Sequence, residues 1–261
     1  MPFHRRDAGR GIAWLTEAVE ILLRNPLPFV VMGLVVALIV SVPLLGGLLL
    51  SVFGPALNGG VIHAARTQAS GGQADVSQLF RAFQQPGILP RMLALCLPGI
   101  AGGLLIAMLA VSFVGSALLA AGISQAADAE ALSEVTLGSG GALFALLAIG
   151  VALIAFGMVF FATPRVMLAG DEPFAAMLLS LRATLANALP ILVYMLCLLF
   201  AGMLVAMVIE LLSVQLARLA VITLAFPLAA TVMWVAARDV FADDQADAGQ
   251  DDRPAPPTLE A

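Results

Sequence analysis

Lysine is missing from this 261-residue chain, and all 12 basic residues are arginine. That absence excludes P-loop lysines, Schiff-base chemistry and pyridoxal enzymes. Charge of either sign is scarce at 11%, against about a quarter in soluble domains. The two cysteines, Cys96 and Cys197, lie far apart in apolar runs without CxxC spacing, so no disulfide framework is expected. The two histidines, His4 and His63, have no thiol or carboxylate cluster around them, and a metal site is not expected. Neither HExxH nor GxSxG occurs, and Ser51 lies about three helical turns from His63, which argues against a Ser–His hydrolase. His63 reads instead as a headgroup-depth residue beside Arg66. The glycine runs at 138–141 and 71–72 follow no strand and precede no lysine, so they punctuate loops rather than cradle phosphate. Arginines scattered at helix ends give no basic face for nucleic acid. No catalytic residue and no cofactor is therefore expected.

What the chain has is apolar surface. It is 61% hydrophobic with a mean hydropathy of +1.04, more than a water-soluble globule can hide. Charge-free stretches run over 25–65, 92–127, 135–164, 183–209 and 219–237. One span needs about 20 apolar residues, so the first stretch holds two, broken near Pro43 and Gly46-Gly47. The positive-inside bias supports this hairpin: it puts 11 arginines on one side and only Arg218 on the other, whereas a single crossing splits them 7 to 5. The sequence thus predicts an all-α membrane bundle of six spans, at 26–43, 46–66, 94–121, 141–164, 188–211 and 218–238, with both termini cytoplasmic. Pro98 and Gly99 mark a bend in the third, and the Arg-free segment 124–140 is the outer loop. Glu17, Glu20 and Arg24 stand where a signal peptide would need an apolar run, so none is expected.

The net charge of −5 is a property of the end of the chain: residues 239–261 carry −6 and residues 1–238 carry +1. The expected organisation is an amphipathic N-terminal segment (1–25), a membrane domain (26–238) and a disordered acidic tail (239–261). Segments 11–24, 76–85 and 173–186 have apolar residues at helical spacing. Each either lies in the cytoplasmic interface or packs on the bundle. Each also precedes a proline junction (Asn25-Pro26, Gln85-Pro86, Asn187 with Pro190) and then a hairpin, a possible threefold parallel repeat.

The run Trp14-Leu15, Arg24-Asn25-Pro26, Pro43-Leu44-Leu45-Gly46, Pro55, Gly59-Gly60, Arg66, Leu79-Phe80 and Phe83 resembles an uncharacterised proteobacterial family of multi-pass inner-membrane proteins. It is distantly similar to the membrane domain attached to some glycerophosphodiester phosphodiesterases. The resemblance covers the first third of the chain and implies a bacterial inner membrane; it brings no activity or ligand with it.

Two functions remain open. One is a non-catalytic structural or accessory protein whose partners are membrane lipids or another protein. The other is a small-solute or lipid transporter with a site at the repeat interface among Ser41, Asn58, Thr163, Asn187 and Thr223; Asn58 and Asn187 are its main polar intramembrane candidates. The arginines near the inner surface either bind anionic lipid or simply set topology. Small-xxx-small pairs at Gly99/Gly103 and Gly47/Ser51 are expected to pack spans together. Glu210 and Arg218, at the outer end of the last hairpin, are expected to meet as an ion pair, directly or through one water, with independent snorkelling as the alternative.

Overall fold

The computed structural model describes residues 3–120, 139–211 and 213–242. Among them the chain is entirely helical: α1 (Arg10–Arg24), α2 (Pro26–Ser41), α3 (Leu45–Ala69), a 3-10 turn (Val76–Phe80), α4 (Arg81–Gln84), α5 (Ile88–Ala94), α6 (Leu97–Ala120), α7 (Ser139–Phe160), α8 (Ala162–Ala169), α9 (Pro173–Ala186), α10 (Ala188–Glu210) and α11 (Val214–Val240). Five stretches are long and apolar enough to cross a membrane: Leu45–Ala69, Ile88–Ser116, Gly140–Ala169, Ala188–Glu210 and Val214–Val240. The protein is a multi-pass helical membrane bundle.

The first expected span is the short one. Helix α2 has 16 residues, about 24 Å of rise against a hydrocarbon core of about 30 Å. It meets α1 at 105°. Pro26 opens α2 and excludes a continuous helix, because its ring and missing N–H break the preceding ladder. The α2–α3 break falls at Val42–Leu44, as Pro43 foretold, with Leu44 held at φ 62°. The third span is interrupted at Leu95-Cys96, just ahead of Pro98. The fourth breaks at Phe161, and two causes coincide there. Pro164 cannot donate to the carbonyl one turn back. Ser180 also inserts its hydroxyl into the ladder, donating to Gly157 O at 2.6 Å and accepting from Phe161 N at 2.9 Å.

The sequence reads 76–85 as one amphipathic helix; it is a 3-10 turn followed by a single α turn. The Asp75 side chain accepts from Ser77 N, with Gln78 completing the capping box. Helix α9 starts with Pro173 at its first position and with Glu172 accepting from Ala175 N at 2.7 Å. It packs through Ala176, Met177, Ser180 and Ala183, leaving Phe174, Leu178 and Leu185 exposed. Met177 therefore belongs to the core side, not to the outward apolar face. Helix α1 buries Trp14, Ala18 and Ile21, while Ile12 and Leu23 stay exposed.

Each short helix lies against a different hairpin in cyclic order. The 3-10 turn and α4 pack on α3, α9 packs on α7, and α1 packs on α10 and α11. That arrangement fits the threefold cadence of the sequence. Helices α3, α8 and α11 contact one another, and α2 runs along α11. Burial is concentrated at the arginine-rich end, around residues 57–68, 160–167 and 230–241. Half of the apolar stretch of α11 is buried, against 11% for α6, α7 and α10. The outer halves carry Leu104, Met108, Leu146, Met207 and Val208 on exposed surface, where acyl chains are the solvent.

The expected small-residue contacts fall elsewhere. Gly47, Gly99 and Gly103 face open space, with nothing within 4 Å of an added Cβ. Close approaches occur instead at Gly33, where a Cβ would lie 1.9 Å from Thr223 O of α11, and, at 2.1 Å from a backbone carbonyl, at Gly11 (Pro190 O), Gly46 (Ile39 O) and Gly60 (Leu79 O). Spacing alone shows that a helix offers a small stripe, not that a partner uses it. Gly33→Ala should therefore cost about 1–3 kcal/mol by forcing α2 off α11. Gly47→Ala should be neutral or gain up to about 1 kcal/mol from helix propensity. Thermal unfolding of the two variants in one detergent checks the contrast.

Candidate functional site at the arginine-rich end

Helix α11 does not stop where the acidic tail was expected to begin; it runs to Val240, and Asp239 belongs to its last turn. That carboxylate is the centre of a fastening. Arg10 approaches it as a fork, Nε to Oδ2 at 3.0 Å and Nη2 to Oδ1 at 2.8 Å. The Trp14 indole N–H donates to Oδ2 at 2.8 Å, and Arg6 Nη2 lies 3.3 Å from Oδ1. Arg6 also donates to the Asp239 carbonyl. The Asp239 side chain is only 13% exposed, so water competes weakly for these bonds.

The segment before α1 is held to the same place. His4 N donates to Val240 O at 2.9 Å. Asn187, fully buried at the α9–α10 junction, uses both ends of its amide. Its Oδ1 accepts from Arg6 N at 2.8 Å, and its Nδ2 donates to His4 O at 3.1 Å and Ala183 O at 3.0 Å. Around this knot Arg238 pairs with Glu17 and lies 5.1 Å above the Trp234 ring. Arg165 pairs with Asp171 at 2.7 Å and lies 4.8 Å above the Phe241 ring. Gln68 donates to Ile21 O and ties α3 to α1.

The sequence-expected polar positions divide. Asn187 is a structural amide, satisfied by backbone rather than open to a ligand. Asn58, in α3, is half-buried, and its Oδ1 is buried without a partner. Two open grooves, of about 410 and 540 Å³, lie between α6, α7 and α9 and between α7, α10 and α11, and both are lined almost wholly by apolar side chains. Neither asparagine lines either groove. Ser41 donates to a carbonyl of its own helix, Ala37 O at 2.8 Å, and Thr163 donates across the α7–α8 break to Val159 O at 2.9 Å. Thr223 is buried where its backbone meets Gly33. Glu210 and Arg218 are both exposed, and no direct ion pair joins them among the described residues. Helix α11 begins at Val214 rather than near 218, so Arg218 sits a full turn along it and away from the level of Glu210. The acids of the expected outer loop, Asp128, Glu130 and Glu134, lie outside the described residues.

Fold and site together define a polytopic helical membrane protein whose first and last described helices are locked together by one largely shielded carboxylate. Comparison with known proteins adds no relative: no family model, no curated protein and no solved structure matches the chain.

Sequence reasoning missed Asp239 because it groups naturally with the six acids that follow it. The signal that separates it is local: Arg238 and Asp239 continue the helical run of α11 without a break. Asp239→Asn should lower stability by about 1–3 kcal/mol, since two arginines lose their counter-charge. Asn187→Ala should cost a similar amount by leaving Arg6 N–H and His4 C=O unpaired. Thermal unfolding in detergent, read against an exposed control such as Gln84→Asn, checks both.

Proposed function

We propose that this protein is a non-catalytic component of a bacterial inner membrane, with a structural or accessory role exercised through lipids or a protein partner at its arginine-rich, cytoplasmic side. The observation that carries the reading is the arrangement of that side. Ten arginines from 5 to 238 lie in or just before the helices gathered there, while α1 turns 105° from α2. A helix crossing its neighbour near a right angle, with Ile12 and Leu23 exposed on it, suits the plane of a cytoplasmic leaflet. Positive charge on one side favours the cytoplasm for that side and for both termini. The sequence resemblance drawn above points to the same membrane.

The transporter alternative draws on Asn58, whose buried carbonyl oxygen has no partner. Weighing against it, Asn187 is committed to backbone, and neither groove is lined by either residue. A substrate path needs convergent polar groups at mid-depth.

Topology is the direct test. A reporter active only in the periplasm should be silent when fused after Arg66, Arg182 or Arg238 and active when fused within 124–140. Activity after Arg66 would remove the first hairpin and the cytoplasmic assignment with it.

A further inference from the structure

One cluster of positive charge at the arginine-rich end has no counter-charge. His63 and Arg66 stand three apart on α3 and so share a face of that helix. The 3-10 turn is pressed onto α3 one turn earlier: a Cβ at Gly60 would meet Leu79 O at 2.1 Å and Gln78 O at 2.6 Å. Arg81 follows two residues after Leu79, and both arginines are close enough to act electrostatically on the His63 imidazole. Arg6, Arg10, Arg165 and Arg238 are all paired with carboxylates. Arg66 and Arg81 form no ion pair among the described residues. Arg81 is half-buried, and its Nε is shielded from solvent with no acceptor. A buried guanidinium N–H without a partner calls for a water or an ion. Arg6 Nε is in the same state but its guanidinium has Asp239 beside it, whereas Arg81 has no carboxylate partner among the described residues, so an anion suits Arg81.

The surroundings select the source of that anion. Phe80 and Phe83 flank Arg81 in sequence and are 42% and 40% exposed. Their rings lie 6.2 Å apart, and Phe83 lies 5.8 Å from Phe53, further along α3 toward the apolar interior. Apolar rings descending from a cationic cluster match a molecule with a charged head and a hydrocarbon body. A free phosphate ion would leave that aromatic surface unused.

We propose that His63, Arg66 and Arg81 form a binding site for the phosphate of an anionic phospholipid, with Phe80 and Phe83 against its acyl chains. Arginine suits this task because its planar fork binds phosphate oxygens in pairs. The site rests on the reading that this end faces the cytoplasmic leaflet and gives that reading a particular ligand.

The test uses the full chain in nanodiscs of phosphatidylcholine with a minor fraction of phosphatidylglycerol. Lipids retained on each chain after gentle extraction are identified by native mass spectrometry. The wild-type protein should retain phosphatidylglycerol in preference to phosphatidylcholine. Arg66→Gln and Arg81→Gln should each weaken that preference about tenfold, the loss expected for one charged hydrogen-bonding partner. Arg66 is exposed, so its variant tests the site without disturbing the core. Arg182→Gln, which removes an exposed arginine of α9 outside the cluster, should leave the preference intact. An equal loss from Arg182→Gln would mean a diffuse cationic surface and overturn the site. So would a wild type that retains the two lipids in proportion to their supply. Displacement of bound phosphatidylglycerol by millimolar inorganic phosphate, with equal affinity for the free ion, would overturn the lipid as its source. The topology reporters read orientation independently, so a correctly oriented protein without lipid preference would refute this site alone.

Discussion

The last turn of α11 presents one carboxylate, Asp239, to Arg6, Arg10 and Trp14, and the architecture depends on that meeting. It joins residues more than 220 positions apart in sequence and ties the first described helix to the last. A bilayer supplies little hydrophobic drive for helices to associate, because acyl chains are as apolar as leucine. Directional contacts at the bilayer edge therefore gain importance. An ion pair at that depth escapes the full desolvation cost of the interior yet is shielded enough to hold. Asn187 adds the third hairpin to the same knot through backbone, and Arg165 adds the second by its cation–π contact with Phe241.

From that end outward the bundle loosens. Trp14, Phe160, Phe161 and Tyr194 are packed among α1, α3, α10 and α11, whereas Leu104, Leu146, Met203 and Met207 face outward. The two grooves between the loosened helices are apolar and open to the side. Lipid tails complete the packing there. The polar and cationic features gather at the other end, around Asp239, Asn187 and Arg165.

Local signals in the sequence placed several breaks and helix starts. Pro43 marked the first hairpin, Pro26 and Pro173 marked helix starts, and Asp75 and Glu172 cap as their residue types suggest. Contacts between distant residues were not legible, because nothing local distinguishes a used group from an unused one. Asp239 looks like its acidic neighbours until Arg10 is placed beside it. Gly33 looks no different from Gly47, yet only Gly33 meets a backbone carbonyl. Ser180 and Thr184 carry no local mark in the sequence, yet in the fold both hydroxyls donate to Gly157 O, and Ser180 with Pro164 breaks the fourth span. Of the candidate site, His63 and Arg66 were visible as neighbours; Arg81 joined them only when the 3-10 turn folded onto Gly60.

Amide hydrogen exchange in lipid nanodiscs tests the central claim most directly, since it reads whether the carboxylate knot holds the first helix to the last. Protection across α1 should equal that of the final turns of α11 in the intact protein, and Asp239→Asn should lose it in α1 while the middle of α11 stays protected. Fast exchange throughout α1 in the unaltered protein would contradict the account.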